Sequence, residues 1–176
     1  MLGWLTGDGA FNNDTVALVF GPRERRTAET MTEELNTLEL DAVNFGTSRF
    51  EPRSSAIGAQ RNGVMQTIAS QSSLITYLEE AYGFKQATAT QKDVPTAVHR
   101  VYSDLKVAYL QGLFSADGCI RSNRDATEKE VMLASSAPAL LRSVQLLLSD
   151  LGITSRISWT HPDGRKNPQG QLHIYN

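Results

Sequence analysis

The 176-residue sequence predicts a mixed α+β fold assembled from two related halves. Three observations lead to it. A glycine-bearing apolar stretch ending in Asp-Gly occurs twice, 109 residues apart. Each copy is followed by a strand-like run and then by a helical pattern. Both copies place small residues at matching positions, as an internal duplication requires. The first copy reads "LGWLTGDG" and the second "LQGLFSADG". Gly3 aligns with Gly112, Gly7 with Ala116, Asp8 with Asp117 and Gly9 with Gly118.

Each element can be justified in turn. A glycine inside a helix costs about 1 kcal/mol relative to alanine, so two of them four residues apart need a reason. Small residues at i and i+4 form a flat strip that lets two backbones approach closely. Gly3, Gly7, Gly112 and Ala116 are therefore expected to be the interface of two paired motif helices on an approximate two-fold axis. "TVALVF" (15–20) predicts a strand. Residues 22–38 predict a helix, with Ala28, Met31, Leu35 and Leu38 at spacings of three and four. Residues 53–70 have a strand-like alternation. After the second motif, 119–133 predicts a hairpin that includes "VMLAS" (131–135). A helix follows over 138–151, striped by Leu140, Val144, Leu147, Leu148 and Leu151 and closed by Gly152. Residues 155–175 predict a last hairpin.

The paired aspartates point to chemistry. A helix C-terminus carries partial negative charge, so an acid there is disfavoured by roughly 0.3–1 kcal/mol. If the motif helices pair in parallel, Asp8 and Asp117 end side by side and repel further. A divalent cation would remove that conflict. Mg²⁺ takes oxygen ligands, and the last-turn carbonyls of Gly7 and Ala116 lie next to the two acids in sequence. The expected metal set is thus Asp8, Asp117, Gly7 and Ala116, with Mg²⁺ or Mn²⁺ as the ion.

Composition bounds the alternatives. The chain is 40% hydrophobic and 20% charged, has a formal net charge of −2, and contains one cysteine, Cys119. An intrachain disulfide and a cysteine-based zinc site are excluded, and a reducing compartment is expected. No apolar run reaches the ~18–20 residues that span a bilayer, and no signal peptide is read at the N-terminus. The expected localisation is cytoplasmic or nucleoid-associated, not secreted. His99, His161 and His173 are too scattered for a histidine–metal nuclease, and no Walker-type loop is present. The acids concentrate on expected helices: residues 22–42 hold six against three arginines. The basic excess falls on expected strands and loops, which a polyanion would meet. Candidate DNA contacts are Arg49, Arg53, Gln60, Arg61, Asn62, Arg121, Asn123, Arg124, Arg156, Arg165 and Lys166. Side chains at i and i+2 of a strand face one way, which suits groove recognition.

The two motifs resemble those of the LAGLIDADG homing endonucleases in their single-chain, two-motif form. "QKDVP" (91–95), "LFSADG" and "LLLSDLGI" (146–153) are similar to blocks of intein endonuclease regions. The resemblance implies αββαββα used twice, with two antiparallel sheets forming a DNA-binding saddle and residues 1–100 and 101–176 as the two halves. It implies Asp8 and Asp117 as metal-binding catalytic acids and Lys92 as a catalytic lysine beside the scissile phosphates. The implied activity is site-specific, metal-dependent double-strand DNA hydrolysis, by a free-standing endonuclease or by the endonuclease region of an intein, the intein-like blocks favouring the second. The implied partner is a long, specific, pseudo-palindromic duplex. The alternatives are a LAGLIDADG-fold regulator or maturase that binds DNA or RNA without cutting, and a structural helix-paired domain. Splicing nucleophiles are not visible, since Met1 and "IYN" do not supply them. About 60 residues follow Asp117 against about 85 from Asp8 to Lys92. The second half is therefore expected to be truncated, with its last strand, last helix and lysine block missing or rearranged. An incomplete second half would leave room for dimerisation of an otherwise monomeric chain.

Overall fold

The computed structural model describes residues 1–12, 15–20, 24–36, 49–53, 63–68, 72–122, 129–160 and 168–175. The first half runs α1 (Leu2–Asp8), β1 (Gly9–Asn12), β2 (Thr15–Phe20), α2 (Arg25–Asn36), β3 (Arg49–Arg53), β4 (Gly63–Ile68) and α3 (Ser72–Tyr82). The second runs α4 (Ser103–Asp117), β5 (Gly118–Ser122), β6 (Lys129–Ser135), α5 (Pro138–Asp150), β7 (Ser155–Thr160) and β8 (Gln169–Tyr175). The duplication is real at the level of topology. Each half holds a four-stranded antiparallel sheet, ordered β1-β2-β4-β3 and β5-β6-β8-β7, so equivalent strands occupy equivalent places.

Local chemistry explains the element ends. Pro138 opens α5 at a position where its missing N–H is no loss, and the Ser135 hydroxyl accepts from the Ala137 N–H at 3.1 Å. The same helix stops at Gly152, whose φ of 75° is left-handed. Ile153 donates back to the Leu148 carbonyl at 2.8 Å and Gly152 to that of Ser149 at 2.9 Å, the paired bonds of a glycine C-cap. Of the helix predicted over 22–38, the structure describes α2 over Arg25–Asn36, with Glu24 in a 3-10 turn before it. Leu38 lies outside the described residues.

Each sheet buries one face. In the first half Leu18 and Phe20 of β2 pack with Ala28, Met31, Ile75 and Leu78, and the Trp4 ring stacks on Phe20 at 5.0 Å. In the second, Leu133 and Leu172 pack with Leu140, Leu141, Val144 and Leu147 of α5. The segment between α3 and α4 joins this second core through Val94 and Val98. Its 3-10 turn, Thr96–Arg100, lies against α3 and α4.

One expectation needs correction. The last strand of the second half is not missing: β8 lies inside the sheet, paired to β6 on one side and β7 on the other. The reason is visible in "QLHIY", where Leu172 is fully buried and Ile174 packs against the same core, while Gln171, His173 and Tyr175 alternate to the opposite face.

Candidate active site

Helices α1 and α4 meet along their small residues. A Cβ at Gly3 would fall on the Tyr109 carbonyl and lie 2.6 Å from the Leu113 nitrogen, so no side chain fits there. At Gly7 a Cβ would lie 2.8 Å from the Ala116 Cβ and 3.2 Å from an Asp117 carboxyl oxygen. Gly112 faces the backbone of Gly3 and Trp4 with slightly more room, its nearest atom being 3.2 Å away. The contact also holds polar groups that the sequence reading missed. The buried Tyr109 hydroxyl donates to the Thr6 Oγ1 at 3.1 Å, and Thr6 donates to the Leu2 carbonyl at 3.0 Å. Neither residue stands out in an apolar helix until the partner helix is in place.

Each helix passes straight into the first strand of its sheet at an Asp-Gly step. Gly9 and Gly118 are extended, at φ −71° and −79°, so positive φ is not what selects them. A Cβ at either would instead strike the carbonyl four residues back, Leu5 or Phe114, to which the glycine N–H is bonded. The glycine lets the chain leave the helix tightly, and that exit places the preceding aspartate at the helix end.

The two aspartates come together. Their carboxyls are hydrogen-bonded to each other and each is half-buried. Burial pushes the Asp8 carboxyl up to about 6, and the Asp117 charge and hydrogen bond push the same way. The Lys92 charge opposes this and Glu24 adds to it. Asp117 is raised as well, by burial first, with Lys92 and the bond to Asp8 working against the rise. Two acids in contact hold one proton between them as a pair.

Lys92 donates from its Nζ to the Gly7 carbonyl, at the junction of the halves. Its place is set by its neighbour. The Asp93 Oδ1 accepts from the Val94 N–H at 2.7 Å and from the Ser143 hydroxyl of α5 at 2.7 Å, while Val94 and Pro95 are buried. These bonds of Asp93 and Ser143 hold the stretch next to Lys92 against α5 and were passed over in the sequence reading, although Asp93 stands inside the quoted "QKDVP" block.

The donor set fits a hard divalent cation. It consists of two carboxylates whose mutual repulsion is only relieved by a proton, with helix-end carbonyls adjacent in the chain. Lys92 takes up one lone pair of the Gly7 carbonyl, and a carbonyl oxygen has two. Among the described residues no group of three or more His, Cys, Asp and Glu forms a metal cluster, so any ion here would need oxygen ligands beyond the two acids.

The candidate DNA contacts divide three ways. Arg121 on β5 and Arg156 on β7 are exposed. Arg49 and Arg53 are the first and last residues of β3. Gln60, Arg61, Asn62, Asn123, Arg124, Arg165 and Lys166 lie outside the described residues. No helix is long and apolar enough to cross a membrane among the described residues.

Comparison with known proteins bears on the fold. Residues 104–176 match the family model of a LAGLIDADG-like domain. A crystal structure of I-DmoI in complex with DNA and Mn superposes with a TM-score of 0.61 at 14% identity, covering 98% of this chain and 85% of that one. The N-terminal LAGLIDADG domain of DUF199/WhiA does so with a TM-score of 0.60 at 13% identity, covering 99% and 72%. I-DmoI is described in its crystal structures as a homing endonuclease, and others hold target DNA with Mg or DNA with Ca. In sequence, the whole chain aligns at 21% identity with the ribonucleoside-diphosphate reductase NrdEB subunit alpha of Bacillus subtilis (strain 168) and of Bacillus phage SPbeta. It spans only 16% of the length of those relatives.

Proposed function

We propose, from the premise that this chain has the two-motif LAGLIDADG fold, that it is a divalent-metal-dependent, site-specific double-strand DNA endonuclease carried as the endonuclease region of an intein. One observation carries the reading. The fold builds the Asp8–Asp117 pair at the junction of its two halves, although the pair is electrostatically unfavourable, and brings Lys92 to the same junction. A purely structural helix pair gains nothing from that arrangement.

The chemistry follows from the residues. Two acids on a pseudo-two-fold axis suit two antiparallel strands, one carboxylate for each scissile phosphate. The pair must lose its shared proton to present both carboxylates, which burial and mutual repulsion resist until a cation compensates. Bound Mg²⁺ or Mn²⁺ would supply charge stabilisation and acidify its coordinated water. Lys92, held by the Gly7 carbonyl, places a positive charge where charge develops on phosphate oxygens. Gly7 and Ala116 are the carbonyls best placed by sequence to complete the ligand set. The pseudo-two-fold lies inside one chain, so a monomer would meet both halves of a long duplex target. A DNA-bound cytoplasmic or nucleoid location goes with this reading.

The intein reading rests on the likeness of "QKDVP", "LFSADG" and "LLLSDLGI" to blocks of intein endonuclease regions. The comparable likeness to the WhiA domain supports a second reading, a regulator or maturase of the same fold that binds without cutting.

Incubation of a plasmid library with the chain and Mg²⁺, followed by sequencing of the ends, separates the two. Cleavage of both strands at one recurring site is expected. Asp8→Asn or Asp117→Asn should abolish cutting of at least one strand while binding persists. Binding with no nicking by the wild type would favour the regulator, and full-rate cutting by either variant would overturn the assigned roles.

A further inference from the structure

The sheet of the second half carries an unusual polar unit on the face turned away from its core. Leu133 of β6 and Leu172 of β8 point into the core, so their neighbours Met132 and His173, which pair across the strands, lie on the other face. There the His173 Nδ1 contacts the Glu130 Oε1 at 2.6 Å and its Nε2 contacts the Ser158 hydroxyl at 2.9 Å. The unit therefore spans three strands, β6, β8 and β7. His173 is only 9% exposed, and the Tyr175 ring lies nearly parallel to it, 7° apart at 6.1 Å. With both ring nitrogens engaged, the imidazole cannot turn without losing two bonds. It fixes the Glu130 carboxylate in place.

The surroundings of that carboxylate are cationic. Arg121 is the direct cross-strand partner of Glu130 on β5, and Arg156 is that of His173 on β7. Direct partners share a face, and both arginines are exposed. An ordered acid on a surface offered to a polyanion is unfavourable unless it accepts a hydrogen bond from the ligand. Phosphates and the keto edges of guanine and thymine are acceptors and would be repelled. The donors in the major groove are the amino groups of cytosine and adenine. Adenine sets its N7 acceptor beside the amino group, which also opposes a carboxylate, whereas cytosine presents N4–H₂ with no such neighbour. The bond to His173 uses one of the two carboxylate oxygens, and a carboxylate accepts at both.

We propose that Glu130, positioned by His173 and Ser158, is a specificity determinant that selects cytosine at one position of the target, with Arg121 placed to donate to the O6 and N7 of the paired guanine. The inference rests on the endonuclease reading above and refines its substrate. It makes the second half an exclusive reader at that position, because a keto base there meets a carboxylate that cannot swing aside.

The test is selection of bound duplexes from a randomised DNA library by the full chain, with wild type and two variants compared. The wild type should show one position at which cytosine exceeds every other base about tenfold. Glu130→Gln, which supplies a donor as well as an acceptor, should erase that preference and leave the other positions unchanged. Glu130→Asp, which keeps the charge but withdraws it by one methylene, should erase it too. His173→Gln should weaken the same position and no other. If Glu130→Gln and Glu130→Asp both keep the wild-type profile, Glu130 reads no base and the proposal falls. If the wild type selects no sequence at all, the endonuclease reading falls and takes this one with it.

Discussion

Asp8 keeps its proton up to about pH 6 because burial and Asp117 both disfavour its charge. The sign matters for stability. The folded value lies above the ordinary 3.8 of an aspartate, so the associated stability is complete below that value and is lost as pH rises through about 6. At neutral pH the metal-free protein therefore carries a penalty at the Asp8–Asp117 pair. Asp8→Asn should remove it. With the shift discounted because the group is half-exposed, the gain is ~1 kcal/mol, or roughly 2–4 °C in Tm for a chain of this size. Thermal unfolding at neutral pH should show this gain, and unfolding at about pH 4 should not, since Asp8 then keeps its proton. Mg²⁺ should raise the Tm of the wild type and leave that of Asp8→Asn nearly unchanged. On the same reasoning cleavage should fall as pH drops below about 6, where protons compete for the carboxylates; a pH–rate profile in excess Mg²⁺ checks it. Lys92→Met should lower the cleavage rate about 10²-fold with little change in affinity for duplex, measured by single-turnover cutting beside a gel shift.

At the scale of elements, the α1–α4 contact makes a sharp distinction between glycines that look alike in the sequence. At Gly3 an added methyl meets backbone on the partner helix, which has no rotamer to yield. Gly3→Ala should therefore part the helices and cost about 1–3 kcal/mol. At Gly112 the nearest atom to an added methyl is 3.2 Å away, and alanine gains about 1 kcal/mol of helix propensity. Gly112→Ala should stay within about 1 kcal/mol of wild type. Urea unfolding of both variants decides it, and equal losses would show that the strip is not the tight side of the interface. The Thr6–Tyr109 bond adds a buried polar link across the same contact. The connecting segment contributes at this scale too, since the Asp93–Ser143 bond ties the lysine-bearing stretch to α5 in the second half.

On the scale of the whole molecule, a net charge of −2 does not predict DNA binding. If the chain binds duplex as proposed, affinity rests on a basic subset of the surface, and the logarithm of the binding constant should fall linearly with the logarithm of salt. Arg156→Ala, which removes one exposed cation from β7, should reduce that slope by about 1. A titration of gel-shift affinity against salt measures it. The identical strand orders in the two halves are what an internal pseudo-two-fold within one chain requires.

What the sequence determined by itself was whatever repeats or is periodic. The two motifs, their matching small residues, the α5 stripe and the Gly152 cap are local or recur at a fixed offset, so side-chain pattern is enough to read them. The convergence of Asp8 and Asp117 could also be inferred, because two helices with matching strips have few ways to pack. Tertiary structure decided the rest. The place of β8 within its sheet depends on pairing with strands over 30 residues away in one case, which no local pattern encodes. The Asp93–Ser143 bond next to Lys92 joins residues 50 positions apart. The Glu130–His173–Ser158 unit exists only once three strands lie side by side in register. Such contacts carry no periodic signature, because each is made by a single pair of side chains that folding brings together from distant parts of the chain.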